Sequence, residues 1–195
     1  MRYPIITISR EYGSGGRSIG RKLADELQIP FYDKEIIALT AQKSGFSEEV
    51  IAQAEQSKPQ SFLYGLYMTS QALPVNDQVF IVQTRLIREI SEKGPCVIVG
   101  RCANYVLREH KDCLHVFIHA PVEDRVRRAT EVYGVREKNP ESLVRREDKR
   151  RAAYYSHFTQ EKWGHAQSYH MAINSSIGEE RVVRLIQLLA KGDTQ

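Results

Sequence analysis

A group of glycines flanked by arginines follows an apolar run near the N-terminus, in the segment ITISREYGSGGRSIGRKLADEL. Gly13, Gly15 and Gly16 can adopt positive φ, and they let backbone amides approach a phosphate closely. The helical pattern that follows adds free N–H groups and the positive end of a helix dipole. Ser18 supplies a hydroxyl where the pattern G-x-x-x-x-G-K-[ST] places a magnesium ligand. These residue types predict a site that binds the phosphates of a nucleotide.

The lysine of that pattern is missing. Aligned on Gly16-Arg17-Ser18, Arg17 occupies the lysine position and Glu11 that of the first glycine. In the register in which a glycine follows the lysine, Gly16 itself occupies the lysine position. A glycine turn that only joins a strand to a helix is the alternative, but the positive charge of the neighbouring arginines favours phosphate binding. The predicted phosphate-binding residues are Arg10, Gly13, Ser14, Gly15, Gly16, Arg17 and Ser18.

A second group of cations lies in the segment ESLVRREDKRRAAYYSHFTQEKWG. Arg146, Lys149 and Arg150 are spaced i, i+3 and i+4, which puts them on one face of a helix. Phosphoryl transfer requires such positive charge on the oxygens of the transferring group, together with rigid positioning. A solvated, salt-bridged helix is the alternative interpretation. Glu147 and Asp148 could orient the arginines, and they break up the basic patch that a nucleic-acid interface would need.

Five short apolar segments bounded by turn residues predict strands at 4–9, 29–33, 95–100, 114–120 and 169–174. Helical periodicity lies between them, notably at 78–93, 121–134 and 179–191. Strands that alternate with helices indicate right-handed crossovers and a parallel sheet, hence an α/β fold. Two stretches, 34–77 and 136–165, are longer than a simple crossover. We interpret them as lobes inserted at the carboxyl ends of strands, where ligands bind in open α/β sheets.

Read together, these segments resemble the cytidylate kinase-like family, a branch of the P-loop nucleoside monophosphate kinases. The opening ITISREYGSGGRSIGRKLADELQIPFYDKEII is the most distinctive part, and VIVGRCANYVL, LHVFIHAPVEDRVRRA and RREDKRRAAYY follow in the family's order. The resemblance implies a single domain with a five-stranded parallel sheet in the order 2-3-1-4-5. Its core would be residues 1–33, 78–135 and 166–195, with an acceptor-binding lobe at 34–77 and a helical lid at 136–165.

The resemblance also implies roles for individual residues. Arg101 matches an arginine that contacts the monophosphate acceptor, and Asp33 matches an acceptor-side aspartate, although capping of the next helix is an equal alternative for Asp33. The family's lid cations match most naturally onto Arg146, Lys149 and Arg151, with Arg150 as a substitute after a small register shift. Together with Arg17 these lid cations are the predicted catalytic residues, and Ser18 is the predicted Mg²⁺ ligand.

The chain departs from the family pattern on the acceptor side. Lys34 and Glu35 follow Asp33, and Val99 and Cys102 flank the Gly100-Arg101 pair. These departures weaken the case for cytidine specificity more than the case for phosphoryl transfer. The predicted activity is therefore ATP-dependent phosphorylation of a nucleoside monophosphate, CMP or dCMP first, with Mg²⁺. The alternatives are a P-loop kinase for another small acceptor and a non-catalytic nucleotide-binding regulatory protein.

The composition agrees with a globular enzyme of this kind. The 195 residues suffice for one core, and the net charge of +4 suits a polyanionic ligand without demanding nucleic acid. No apolar run is long enough to cross a membrane, and three cysteines without a C-x-x-C pair predict reduced thiols in a cytoplasmic protein. Phe62, Tyr64 and Tyr67 could stack on an acceptor base, but the core of the inserted lobe is the favoured interpretation.

Overall fold

The computed structural model describes residues 1–56 and 73–192, so the predicted roles of Phe62, Tyr64 and Tyr67 lie outside the described residues. The strands are β1 (Ile5–Arg10), β2 (Phe31–Tyr32), β3 (Cys96–Val99), β4 (Cys113–His119) and β5 (Met171–Asn174). The helices are α1 (Gly16–Leu27), α2 (Glu35–Ser44), α3 (Glu48–Gln56), α4 (Val75–Glu92), α5 (Ala103–Val106), α6 (Val122–Glu131), α7 (Pro140–Thr159) and α8 (Glu179–Lys191).

All five strands join one parallel sheet in the order β2-β3-β1-β4-β5, which confirms the predicted α/β fold and strand order. The central strand β1 is apolar because it is covered on both faces. Its alternate residues enter two different clusters: Ile6 and Ile8 pack under α1 and α8, whereas Ile5 packs under α4. Two helical layers therefore enclose the sheet.

The observed strands lie close to the predicted segments, and the largest difference among them is at β2. Only Phe31 and Tyr32 pair with β3 as strand residues, and the Pro30 carbonyl just before them accepts a hydrogen bond from the backbone N–H of Val97 at 2.9 Å, whereas the sequence predicted a strand over 29–33. Ile29 instead donates its backbone N–H to Ala24 of α1, so the chain joins the sheet late. None of the described helices is long and apolar enough to span a membrane.

Parallel pairing brings the carboxyl ends of the strands to one edge of the sheet. The glycine loop follows β1 there, Asp33 follows β2, and Gly100 follows β3. The helix α7 crosses the same edge, since its Asp148 accepts a hydrogen bond from the backbone N–H of Tyr12. Predicted site residues from distant parts of the sequence, among them the glycine loop, Asp33 and Arg101, thus converge at this edge.

Candidate active site

The loop between β1 and α1 presents free backbone amides at the start of a helix. Gly13 and Gly15 have φ values of 80° and 78°, and Gly15 is the N-cap of α1. Ser14 is fully buried, and its hydroxyl donates to the Glu11 carbonyl at 2.9 Å. Within the described residues, five backbone N–H groups of this loop have no hydrogen-bond partner: that of Gly13 and the four in a row of Gly15, Gly16, Arg17 and Ser18. The N–H of Ser14 between them donates to the Glu11 carbonyl. This arrangement suits an oxyanion such as phosphate.

The Asp33 carboxylate lies close to three arginines, one at the end of β1, one in α1 and one in the turn after β3. It lies 2.6 Å from Nη1 of Arg101, 2.7 Å from Nε of Arg17 and 3.8 Å from Nη2 of Arg10. Burial by itself would raise the pKa of Asp33, but the surrounding arginines, Arg101 foremost, outweigh burial and lower it. Asp33 is therefore ionised at neutral pH, and it is not a simple helix cap, because α2 has no side-chain cap hydrogen bond.

Glu55, on α3 of the inserted lobe, is a second carboxylate that sequence reasoning missed. Its Oε1 lies 3.1 Å from Nε of Arg101 and 2.7 Å from Nε2 of Gln83 on α4. The surrounding sequence, EEVIAQAEQ, marks this residue as one acid among several on a helix, so nothing local singles it out. Only the packing of α3 against α4 brings Glu55 to Arg101.

The backbone that carries Arg101 is unusual. Gly100, Arg101 and Cys102 have φ values of 81°, 52° and 55°, three left-handed residues in a row. Non-glycine residues adopt this conformation at a cost of order 1 kcal/mol each, and such strain concentrates at functional sites. The turn places the Arg101 guanidinium at the carboxyl end of β3, where its Nη1 also donates to the Val99 carbonyl at 3.3 Å. Burial raises the pKa of the Cys102 thiol to about 12, so this neighbour is no nucleophile at neutral pH.

The helix α7 contributes two of its predicted cations to the site. Arg151 donates from Nη1 to the carbonyl of Arg10 at 3.1 Å, and its guanidinium lies 5.4 Å from the ring centroid of Tyr12. Arg150 pairs with Glu147 at 2.6 Å, and Asp148 lies 4.0 Å from Arg151, so the interspersed acids do orient the arginines.

The other two predicted lid cations lie elsewhere. Arg146 is exposed and pairs with Glu137 at 2.9 Å, and Lys149 is exposed as well. Neither lines a cavity at the strand ends. The structure thus brings Arg150 and Arg151 together with Arg10, Arg17, Asp33 and Arg101, and leaves Arg146 and Lys149 on the outer side of α7.

Two cavities meet at this edge of the sheet. The loop cavity, about 570 Å³, is lined by Gly13, Gly15, Gly16 and Ser18 of the glycine loop among others. The inner cavity, about 330 Å³, is lined by Asp33, Glu55, Arg101, Tyr154 and Trp163 among others. Four described residues line both, and all four are cations: Arg10, Arg17, Lys34 and Arg151. The boundary between the cavities is therefore strongly positive, and burial together with Arg151 and Arg101 lowers the pKa of Arg10 to about 9.

A third cavity adjoins the glycine loop on the side of α6 and α8. This side cavity, about 280 Å³, is lined by Gly13, Arg128, Ser175, Ser176 and Glu179 among others. Ser18 donates from Oγ to Glu179 at 2.9 Å, and Arg128 also pairs with Glu179. A hydroxyl and a carboxylate are hard oxygen donors, and Mg²⁺ commonly binds through one or two protein oxygens together with substrate phosphates and water. The residues present therefore fit a magnesium ion.

Comparisons with known proteins agree with this architecture. The family model described as the cytidylate kinase-like family matches residues 5–177. No curated protein matches the sequence. Among solved structures, an uncharacterized protein from Eubacterium ventriosum ATCC 27560 is 26% identical, with a TM-score of 0.72, covering 97% of this chain and 99% of that one.

Two functionally described structures share the fold at lower identity. Shikimate kinase from Acinetobacter baumannii, in complex with shikimate, is 17% identical with a TM-score of 0.57, covering 99% of this chain and 96% of that one. A gluconokinase from Sinorhizobium meliloti 1021 is 16% identical with a TM-score of 0.57, covering 98% and 96%. At these identities the likeness concerns the fold alone.

Proposed function

The chain belongs to the cytidylate kinase-like family, and on that basis we propose that it transfers the γ-phosphoryl group of ATP to a nucleoside monophosphate, CMP or dCMP first. Membership in this P-loop family supports phosphoryl transfer generally. The choice of a nucleoside monophosphate rests on the family and on the charge of the inner cavity.

One observation carries the proposal. The only described residues common to the loop cavity and the inner cavity are the cations Arg10, Arg17, Lys34 and Arg151. A phosphoryl group that passes between a donor in one cavity and an acceptor in the other would cross this boundary. Positive charge held in advance around the transferring oxygens is the main means by which proteins catalyse phosphoryl transfer.

The donor would bind through the glycine loop. The free amides from Gly13 to Ser18 would accept its phosphates at the N-terminus of α1, as helix starts commonly do. The side cavity, which shares Gly13 with the loop cavity, would hold the nucleoside end of ATP. Ser18 and Glu179 would hold Mg²⁺ beside the phosphates, and the ion would supply charge neutralisation there.

The acceptor would bind in the inner cavity. Six cationic side chains line this cavity against the two carboxylates of Asp33 and Glu55, and the excess suits a ligand with at least two negative charges. Arg101 would meet the acceptor phosphate by exchanging part of its pairing with Glu55. Tyr154 and Trp163 would border the rest of the acceptor.

The transfer itself needs no side-chain nucleophile. An oxygen of the acceptor phosphate forms a bond to the γ-phosphorus while the bond from that phosphorus to the bridging oxygen breaks, and the electron pair stays on the β-phosphate of ADP. Because the attacking phosphate oxygen is already ionised, no base is required. Arg150 and Arg151 on α7 would neutralise the transferring oxygens.

A hydroxyl-bearing acceptor, such as a sugar or a hydroxy acid, is the second candidate, and Asp33 is the observation that favours it. A hydroxyl nucleophile must lose a proton, and an ionised carboxylate that lines the acceptor cavity could accept it. Shikimate kinase and gluconokinase, which share the fold, have acceptors of this kind in their names.

The discriminating experiment is ADP release with Mg²⁺ and ATP, measured with two acceptor panels. One panel holds CMP, dCMP, UMP and AMP, and the other holds polyols, sugar acids and shikimate-like acids. Turnover with CMP or dCMP is the expected result. Turnover only with the second panel would assign the second candidate. Nucleotide binding without turnover on either panel would contradict catalysis and leave a regulatory nucleotide-binding protein.

A further inference from the structure

Position 16, where a P-loop lysine would stand in one register, has no room for any side chain. A Cβ built on Gly16 would lie 2.5 Å from Cβ and 2.9 Å from Cγ of Arg10. Both contacts are far inside van der Waals distance. Gly16 is the first residue of α1 and has no positive φ, so its backbone would accept other residues. The obstacle at position 16 is therefore the stem of the Arg10 side chain.

The far end of Arg10 meets a second glycine. A Cβ built on Gly100 would lie 2.3 Å from Nη1 of Arg10. The Arg10 side chain therefore runs from the end of β1, over Gly16, to the turn after β3, and both glycines leave space for it. It ends at the boundary of the loop cavity and the inner cavity, 3.8 Å from Asp33.

Compared with the P-loop pattern, the glycine and the cation of this loop have exchanged positions. In the loop version in which a glycine follows the lysine, G-x-x-x-x-G-K-G-[ST], Gly16 is in the lysine position, Gly15 is the second glycine and Arg10 is in the position of the first, and Ser18 keeps the hydroxyl position. The pattern has glycine at its first position and a cation at its seventh, whereas this chain has a cation at the first and glycine at the seventh. The charge is retained, and the two residues have exchanged places across the loop.

We propose that Arg10 replaces the P-loop lysine as the loop cation that contacts the donor phosphates, and that Gly16 is glycine because the Arg10 side chain occupies the lysine's volume. The inference rests on the proposed function for its ligand, a nucleoside triphosphate. Arg17, the other candidate for this role, is half-exposed and its Nε pairs with Asp33. Arg10 is the more buried of the two, and nearby Arg151 and Arg101 leave it in an excess of positive charge that a bound phosphate would relieve.

The test is a double-mutant cycle between the two positions. Arg10→Gly with Gly16→Lys restores the pattern's own residues, and each single variant completes the cycle. Gly16→Lys alone should unfold at a lower temperature than the unmutated protein, because the new side chain collides with Arg10. In the Arg10→Gly background the same change should cost much less, and this coupling needs no ligand to be seen. Arg10→Ala with Gly16→Lys is the matched control, since alanine keeps the Cβ that lies 2.5 Å from position 16.

ATP and ADP binding, measured by calorimetry, supplies the functional readout. Arg10→Ala should weaken ATP binding about 10- to 100-fold, the range for lost hydrogen bonds to a charged group. The double variant Arg10→Gly/Gly16→Lys should recover most of that loss. Arg145→Ala, an exposed arginine on α7, is the control for a general loss of positive charge and should bind ATP normally.

The outcomes separate this inference from the proposed function. If the unmutated protein binds no nucleotide, the proposed function fails and the inference fails with it. If it binds ATP, but Arg10→Ala binds equally well while Arg17→Ala does not, the proposed function stands and the inference is overturned. Absence of thermal coupling between positions 10 and 16 would also overturn it, whatever the binding result.

Discussion

The carboxylate of Asp148, on helix α7, accepts a hydrogen bond from the backbone N–H of Tyr12 in the glycine loop at 2.7 Å. Its other oxygen pairs with Arg125, a buried arginine of α6 that also donates to the Tyr12 carbonyl at 3.3 Å. One carboxylate thus joins the loop, α6 and α7. The position of α7 and the conformation of the loop are coupled through this residue.

Removal of that carboxylate should loosen α7. Asp148→Ala leaves the Tyr12 N–H and part of the Arg125 guanidinium without a partner, which should lower the free energy of unfolding by about 1–3 kcal/mol. Hydrogen exchange of the α7 amides should become faster. Glu141→Ala is the matched control, because Glu141 is an exposed carboxylate on the same helix that pairs with Arg145. That change should cost less than about 1 kcal/mol. Equal effects of the two substitutions would contradict the coupling.

The ion pairs of Asp33 with Arg10, Arg17 and Arg101 predict that the stability of the protein falls at acidic pH. Because the folded-state pKa of Asp33 is lowered, its contribution to stability is present above the unfolded-state pKa of about 4 and is lost as the pH falls through the folded-state value. Asp33→Asn should lower the free energy of unfolding at pH 7 by about 1.5–3 kcal/mol, since buried Arg101 loses one of its two ionic partners and keeps Glu55.

The pH dependence of that difference is the check. Denaturant titrations should give a constant difference between the unmutated protein and Asp33→Asn from pH 7 down to about pH 5, and a shrinking difference below about pH 4. A difference that stayed constant to pH 2 would show that the carboxylate charge of Asp33 contributes nothing.

The glycine loop predicts a contrast between two glycines with similar backbone conformation. Gly13 has a φ of 80° and Gly134 a φ of 69°. Alanine at either position carries the cost of a left-handed residue, about 1–2 kcal/mol. A Cβ at Gly13 would also lie 2.5 Å from the Arg125 carbonyl oxygen, whereas a Cβ at Gly134 would meet nothing within 4 Å. Thermal denaturation should therefore show a larger decrease in melting temperature for Gly13→Ala than for Gly134→Ala. Equal decreases would show that the loop can move away from Arg125 without loss of stability.

The contacts of Arg101 indicate that the shape of its guanidinium matters to acceptor binding as well as its positive charge. It pairs with Asp33 through Nη1 and with Glu55 through Nε and Nη2, which requires a planar fork. Arg101→Lys retains the charge but cannot reach both carboxylates. We expect kcat/KM for the acceptor to fall about 10- to 100-fold for Arg101→Lys, mostly through KM, and further for Arg101→Ala. Arg108→Lys, on an exposed arginine that pairs with Glu109, is the control and should leave both parameters unchanged. An active Arg101→Lys enzyme with normal KM would remove Arg101 from the acceptor site.

Much of the architecture is determined by local pattern. Short apolar segments alternate with helical periodicity, and this alone predicts a covered parallel sheet with two inserted stretches. The glycine-rich turn that leads from β1 into α1 was predictable in the same way, because glycine spacing indicates where the backbone can adopt positive φ before a helix. The strand order followed from the family resemblance, and the observed sheet confirms it.

Tertiary structure alone decided which charges meet. Glu55 is one of several acids on an amphipathic helix, and only the contact between α3 and α4 sets it beside Arg101. On α7, Arg146 and Arg150 looked equivalent by spacing, yet one faces outward to Glu137 and the other lines the inner cavity. The space over Gly16 depends on a side chain six residues away that crosses the loop. Glycine spacing and strand periodicity are properties of neighbours along the chain, whereas the partners of a buried charge are determined by elements that approach one another only after folding.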